Sequence, residues 1–365
     1  MRKTGSILAA GILLVTASFA GKGTVAAQDS ETLPPILDEQ GNPVPGSVVA
    51  LQKINLGGVG QWILIRGRDE TKPVLLVLHG GPGATMMPWV DLFQRRELEE
   101  NFVVVHWDQR NAGKSYSSAL TREDLDVETY VDDTLELADL LTRRFGQDRI
   151  FLAGISWGSA LGFRTLERNS TLFRAFIATS EHVDWQRSQT SGFDWAKAEA
   201  ESRNDKEALD IIASIEPFDP TDPGDIDAKN RLLERYLGGD FHTEGRWQGY
   251  LDYAMSGQSP YYSEAEVKNY QRGIEASEQA VLPQLAEYDL FEDYPVSDIP
   301  VHFISGAEDH ETPVELVEEY AAELKAPDKS LTIIQNTGHN VAFDAPKAWA
   351  DTLVRISKEV IAREK

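Results

Sequence analysis

The chain has 365 residues, of which 41% are hydrophobic and none is cysteine, which excludes disulfides, thiolate metal sites, a cysteine nucleophile and a lipid-modified cysteine. With 59 acidic against 35 basic side chains the formal net charge is -24, a field that repels phosphate backbones and anionic membrane surfaces and so excludes nucleic acid as a partner. The length allows one large domain with an insertion or two modest ones, and the acidity reads as a solvated surface, with attraction of cationic substrates as the alternative.

Arg2 and Lys3 precede an apolar run from Ile7 to Ala20, and Val25, Ala26 and Ala27 follow as small residues before Gln28. This is the pattern of a secretory signal peptide over 1–27. A membrane span needs about 20 apolar residues, and the run ends sooner, at Gly21, Lys22 and Gly23. The expectation is export to a periplasm or to the outside, with no stable membrane insertion and a mature chain starting near Gln28.

A Pro-rich lead over 28–46 gives way to a strand pair, Ser47 to Ile54 and Gln61 to Arg66, separated by Gly57, Gly58 and Gly60. Three short apolar runs follow, Pro73 to Leu78, Phe102 to Trp107 and Ile150 to Ile155, each ending in a turn-like cluster. Such runs suit strands buried on both faces of a parallel sheet. Between them Val127, Val131, Thr134, Ala138, Leu141 and Phe145 recur at helical spacing, and the alternation implies an α/β fold. After a strand at Ala175 to Thr179, the segment 183–296 is rich in Trp, Tyr, Asp and Glu and poor in β-branched runs. It reads as a helical cap inserted between two parts of the core, 47–182 and 297–365, with Pro217 to Asp225 as an irregular connection. Strands at Val301 to Ser305 and Leu331 to Ile334 and a helix over Ala345 to Ala362 close the chain.

Gly154-Ile155-Ser156-Trp157-Gly158 matches GxSxG, directly after a buried run and directly before a helical stretch, Ala160 to Glu167. A tight strand-to-helix turn exposes the Ser156 hydroxyl at the carboxyl edge of the sheet, where open α/β folds bind ligands. His79-Gly80-Gly81-Pro82-Gly83 ends an earlier buried strand. Acyl transfer builds negative charge on a carbonyl oxygen, so the N–H groups of Gly81 and Trp157 are the expected oxyanion hole. The glycines fit neither a P-loop nor GxGxxG.

A serine hydroxyl needs a base. Of seven histidines, His339 stands in a loop after the last strand and late in the chain, and is the candidate; His182, at a strand end, stays open. His106 and His302 lie within apolar strands, His242 lies in the insertion, and His310 reads as a surface neighbour. The acid that orients the base should follow the preceding strand, where Asp309 is the choice and Glu308 and Glu311 are the alternates. This chemistry requires neither a metal nor an organic cofactor.

These residues resemble the α/β-hydrolases, and within them the proline iminopeptidase-like group. The resemblance is carried by His79 to Gly83, Asp108-Gln109-Arg110 with Gly113-Lys114-Ser115, Gly154 to Ser159, Gly306 to Pro313 and Gly338-His339. It implies the α/β-hydrolase fold with an inserted helical cap, and the order Ser156, Asp309, His339 is the order such a resemblance implies. Asn111 replaces the group's usual glycine after DQR, but Asn tolerates positive φ. Asp108 and Arg110 are expected to brace the loop. The group's amine-holding Trp-Glu-Gly segment has no counterpart in 183–296; Thr243-Glu244-Gly245 lacks the Trp, and Glu181, at a strand end, is the one substrate-binding candidate. Trp185, Phe193, Trp195, Trp247, Tyr250, Tyr253, Tyr261 and Tyr262 are expected to form mostly the cap's own core.

The expected function is an exported serine hydrolase working through an acyl-enzyme, an aminopeptidase acting on short peptides or amino-acid amides by that resemblance. A carboxylesterase for small esters uses the same machinery, and a non-catalytic ligand receptor is the rival from another class.

Overall fold

The computed structural model describes residues 26–27, 33–94 and 96–364. The expected signal peptide lies outside the described residues except for Ala26–Ala27 (β1), which pairs antiparallel with Lys53 and Gln52.

The strand pair forms as Val48–Leu56 (β2) and Val59–Gly67 (β3), antiparallel and joined by Gly57-Gly58. Val74–Leu78 (β4), Val103–Asp108 (β5), Ile150–Ile155 (β6), Phe173–Thr179 (β7), Val301–Gly306 (β8) and Lys329–Ile334 (β9) complete one nine-stranded sheet, in the order β1-β2-β3-β5-β4-β6-β7-β8-β9. From β5 to β9 every pairing is parallel. The runs in β4, β5 and β6 are buried throughout because helices cover both faces.

Successive strand residues serve opposite faces. Leu76, Val105 and Leu152 pack with Leu137 and Leu141 of Val127–Phe145 (α3), Phe163 of Trp157–Arg168 (α4) and Val317 of Val314–Glu323 (α11). Their neighbours Leu75, Val104 and Phe151 pack on the other side with Phe93 of Val90–Phe93 (α1), Leu98 of Arg96–Asn101 (α2) and Trp349 and Leu353 of Pro346–Arg363 (α13). Two alternating sets of side chains thus build two core layers, as a pleated strand dictates.

Between β7 and β8 the described elements are helical: Trp185–Arg203 (α5), Lys206–Ser214 (α6), Pro223–Arg235 (α7), Arg246–Met255 (α8), Glu264–Val281 (α9) and Leu290–Asp293 (α10). A separate cluster of Phe193, Ala196, Ile212, Leu232 and Leu233 holds α5, α6 and α7 together. The stretch expected to be irregular up to Asp225 ends inside α7 instead. Pro223 occupies the first helical turn, where its missing N–H costs nothing, and the Asp222 carboxylate caps the Gly224 and Asp225 N–H groups. Val341–Asp344 (α12) follows the last strand. No described helix is long and apolar enough to cross a membrane.

Candidate active site

β4 and β6 are neighbours, yet the chain leaves β4 for β5 on one side and reaches β6 on the other. Their carboxyl ends therefore open a crevice at a topological switch point. Ser156 follows β6 there, with its N–H bonded to the Thr179 carbonyl at 2.9 Å and with φ 53°, ψ -122°. This is a strained geometry for a residue with a Cβ, and close packing enforces it: a Cβ on Gly158 would lie 2.2 Å from the Leu78 carbonyl oxygen.

The loop after β4 borders the same crevice. Gly81 takes φ 106°, and an added Cβ would lie 2.6 Å from the Ala84 nitrogen. Gln109 ties this loop to the serine turn, since its amide donates to the His79 carbonyl at 3.1 Å and accepts from the Trp157 indole at 2.9 Å. The Gln109 N–H donates to His79 Nε2, so the neutral ring carries its proton on Nδ1, toward the Gly80 carbonyl; burial lowers this histidine to about 4. Trp157 opens α4, so its main-chain N–H is one of the helix-start donors without an intrahelical acceptor.

Asp309, in the loop after β8, is fully buried. Its Oδ1 accepts the Glu311 and Thr312 N–H groups at 3.0 and 2.8 Å, and its Oδ2 accepts the Thr312 hydroxyl at 2.6 Å and His339 Nδ1 at 3.0 Å. Burial opposes ionisation here, but His339 and these donors outweigh it and hold the carboxyl below its ordinary value. With Nδ1 donating to Asp309, His339 turns Nε2 toward the crevice; that atom is buried and has no hydrogen-bond partner. The Ser180 hydroxyl holds the His339 carbonyl at 2.6 Å, and the Gly239 carbonyl accepts the His339 N–H at 3.0 Å.

Ser156, His339, Gly80 and Gly81 line one cavity of about 310 Å³. One wall is apolar, with Met86, Trp89, Phe241, Trp247, Ile274 and Phe343, and another carries the carboxyl groups of Glu234, Asp240, Glu278 and Glu311. Among the described residues no lysine or arginine pairs with any of these four. Asp240 and Glu278 are each pushed up to about 7, first by burial and then by the Glu311 charge. Asp240 is open to the cavity although the surrounding protein encloses it. Asn230 adds an Oδ1 without a hydrogen-bond partner to the same cavity.

Ser156, Asp309 and His339 thus converge, with Gly81 and Trp157 beside the serine. Of the alternate acids, Glu308 is not among the cavity residues, and Glu311 lies on the opposite side of the imidazole from Asp309, 3.8 Å from Nε2. His182 is buried with its ring 6.2 Å from that of His339. One expectation needs correction. Glu181 does not line the cavity: it is buried, accepts from Tyr288 at 3.3 Å, and burial raises its carboxyl well above the ordinary value. Its place at the end of β7 directs it toward Ser159 of α4 and away from the crevice floor. His310 is half-buried, with its ring stacked on Trp195 at 3.9 Å, which joins the acid loop to the cap.

Arg110 brackets the buried Asp133 at 2.9 and 3.0 Å. Asp108 accepts hydrogen bonds from the hydroxyls of Thr85 and Tyr262 and from the Lys114 N–H. Asn111 adopts φ 63°. Of the cap aromatics named above, Trp247 alone lines the cavity. The cavity carboxylates escaped sequence reasoning because they come from α7, the α7–α8 loop, α9 and the acid loop, with no motif linking them; Glu311, two residues from Asp309, carried the single local hint.

A family model described as the alpha/beta hydrolase family matches residues 74–352, and the chain belongs to that family. It is 28% identical over 317 residues to a Bacillus subtilis (strain 168) protein named a probable aminopeptidase, YbaC, covering 86% of this chain and 98% of that one. A shorter match, 34% over 117 residues, links 31% of this chain to 34% of a probable proline iminopeptidase of Streptomyces coelicolor. Among solved structures, the proline iminopeptidase of Mycobacterium smegmatis superposes with TM-score 0.63 at 19% identity, over 87% of this chain and 100% of that one. A proline iminopeptidase-related protein of Thermus thermophilus does so with TM-score 0.60 at 22% identity, over 87% and 97%.

Proposed function

We propose that this hydrolase is a serine aminopeptidase that removes the first residue from short peptides or amino-acid amides with a free amino end. Ser156 attacks the carbonyl, His339 takes its proton and returns it to the leaving amine, and Asp309 holds the imidazole in the productive tautomer. The Gly81 and Trp157 N–H groups receive the oxyanion. Water activated by His339 then releases the acyl group.

The observation that carries the aminopeptidase reading is the carboxylate wall of Glu234, Asp240, Glu278 and Glu311 in the cavity that holds Ser156. A group of carboxylates that line one cavity and pair with no lysine or arginine among the described residues favours a cation. An α-ammonium one carbon from the scissile carbonyl sits within reach of such a wall, and the aromatic wall suits a compact ring such as proline. The names of the relatives point the same way.

The test is release of a chromophoric amine from proline amides with free and with blocked amino ends, beside a short-chain nitrophenyl ester. Cleavage of the free-amine amide but not of the blocked one, with the ester at most a slow substrate and all turnover lost in Ser156→Ala with the circular dichroism spectrum unchanged, is expected. Ester cleavage alone would make the protein a carboxylesterase, and ligand binding without turnover would make it a receptor. We also propose export, which predicts a secreted or periplasmic product whose first residue, read by mass spectrometry, lies near Gln28; an intact Met1 on that product would rule out signal cleavage.

A further inference from the structure

We propose that Glu311 is a specificity-determining residue that makes His339 available as a base only when a cationic group of the substrate lies beside it. The identity of that cation as an α-ammonium rests on the aminopeptidase reading; the coupling does not.

The imidazole stands between two carboxylates. Asp309 Oδ2 is 3.0 Å from Nδ1, which orients the ring, while Glu311 Oε1 is 3.8 Å from Nε2, the atom that must be free of a proton to accept one from Ser156. A negative charge at that atom favours the imidazolium. The other groups around the ring do not cancel it. Asp240 and, from α7, Glu234 add negative charge, and Glu278 faces the same cavity from α9. Burial lowers His182, on the β7 side, to about 3 and leaves it neutral at ordinary pH. Lys229 of α7 donates to Gln189 at 2.6 Å; burial lowers it to about 8, so it stays mostly cationic at pH 7 and is attracted by Glu311 and Asp309, without outweighing their effect on the ring. Asp344 of α12 is engaged by the Gly338 and His242 N–H groups and by Arg246. Burial by itself would lower His339, yet Glu311 and Asp309 prevail and raise it to about 10. At pH 7 an empty site so poised holds the imidazole mostly in its protonated form.

A substrate ammonium placed against Glu311 cancels the charge that retains the Nε2 proton. The proton leaves to solvent, the complex gains the substrate's positive charge in its place, and Nε2 becomes the acceptor for the Ser156 proton as the Oγ–C bond forms. Neutral esters and blocked amides bring no such charge and meet an imidazolium. Selectivity for a free amine then resides in the base itself as well as in binding, and the unpartnered Asn230 Oδ1 in the same cavity fits a site awaiting a charged donor group.

The experiment follows nitrophenyl acetate hydrolysis by the full chain against pH, with methylammonium chloride or sodium chloride at equal ionic strength, after subtraction of the Ser156→Ala background. In the wild type, methylammonium should raise the rate at pH 7 roughly tenfold or more, the gain expected for each pH unit of released base. Glu311→Gln should be faster than wild type without the amine, insensitive to it, and shifted on its acidic limb to lower pH by about one unit or more. Absence of activation in the wild type overturns the proposal whether or not the variant folds, and equal activation in Glu311→Gln removes the role from Glu311. Failure to cleave proline amides while ester hydrolysis remains amine-activated would reject the aminopeptidase reading and leave this coupling standing. Amide cleavage with pH profiles unchanged by Glu311→Gln would do the reverse.

Discussion

At the scale of single residues, the arrangement around His339 separates orientation from charge. Asp309 receives four donors and holds Nδ1 at 3.0 Å, so its task is to fix which nitrogen faces Ser156. Thr312 assists twice, with its N–H and its hydroxyl both on Asp309. Asp309→Asn keeps the shape but can present an amide N–H to Nδ1 and select the wrong tautomer. Turnover of the cleaved substrate should fall about 10⁴-fold with little change in KM; steady-state kinetics showing a loss of less than tenfold would transfer the orienting role to another acid. Ser156, His339 and Asp309 were legible in the amino-acid sequence, because each follows a strand and the chemistry restricts the residue types. Glu311 was legible only as a substitute for Asp309. Its side of the imidazole depends on how the loop after β8 turns, which no local pattern encodes.

At the scale of elements, the loop after β5 is the joint between core and cap. Arg110 reaches across to Asp133 on α3, a pair with side-chain exposures of 3% and 0%, while Asp108 takes the hydroxyl of Tyr262, just before α9. Replacing Arg110 by Ala leaves Asp133 as an uncompensated buried carboxylate, although the Gln61 amide still donates to it at 2.6 Å. The expected loss is about 3–5 kcal/mol of unfolding free energy, measured by denaturant titration, and a loss below about 1 kcal/mol would show that the loop does not depend on this pair. Strands β4 to β8 and helices α3 and α13 were foreseen to within a few residues, since buried runs and helical periodicity are local signals. The start of α7 was not, because a cluster of Pro and Asp serves a turn and a capped helix N-terminus equally well until the following helix has something to pack on.

At the scale of the whole molecule, the acidic balance becomes an internal feature as well as a surface one. Asp240 and Glu278, raised to about 7 by burial and by Glu311, bind protons in the folded state that they have lost in the unfolded chain above about pH 4. A carboxyl raised in this way opposes folding progressively as pH rises from about 4 through 7, after which its effect is constant. His339, raised to about 10, adds to the decline, because its stabilising contribution is complete below about 6.5 and is lost as pH rises toward 10. Because His79 and His182, lowered by burial to about 4 and about 3, add stability as pH rises to about 6.5, the melting temperature of the ligand-free protein should fall only between about pH 7 and 8, and Glu278→Gln should reduce that fall; a profile still rising above pH 7, or one unaltered in the variant, would contradict the ionisation states described above. The sequence by itself determined the strand and helix alternation, the serine turn, the glycine loop after β4 and the order of Ser156, Asp309 and His339, since each depends on residue type within a few positions of a strand end. Only the tertiary structure decided which carboxylates share a cavity with Ser156 and His339, because Glu234, Asp240, Glu278 and Glu311 come from separate elements and meet only when the helices between β7 and β8 close over the sheet.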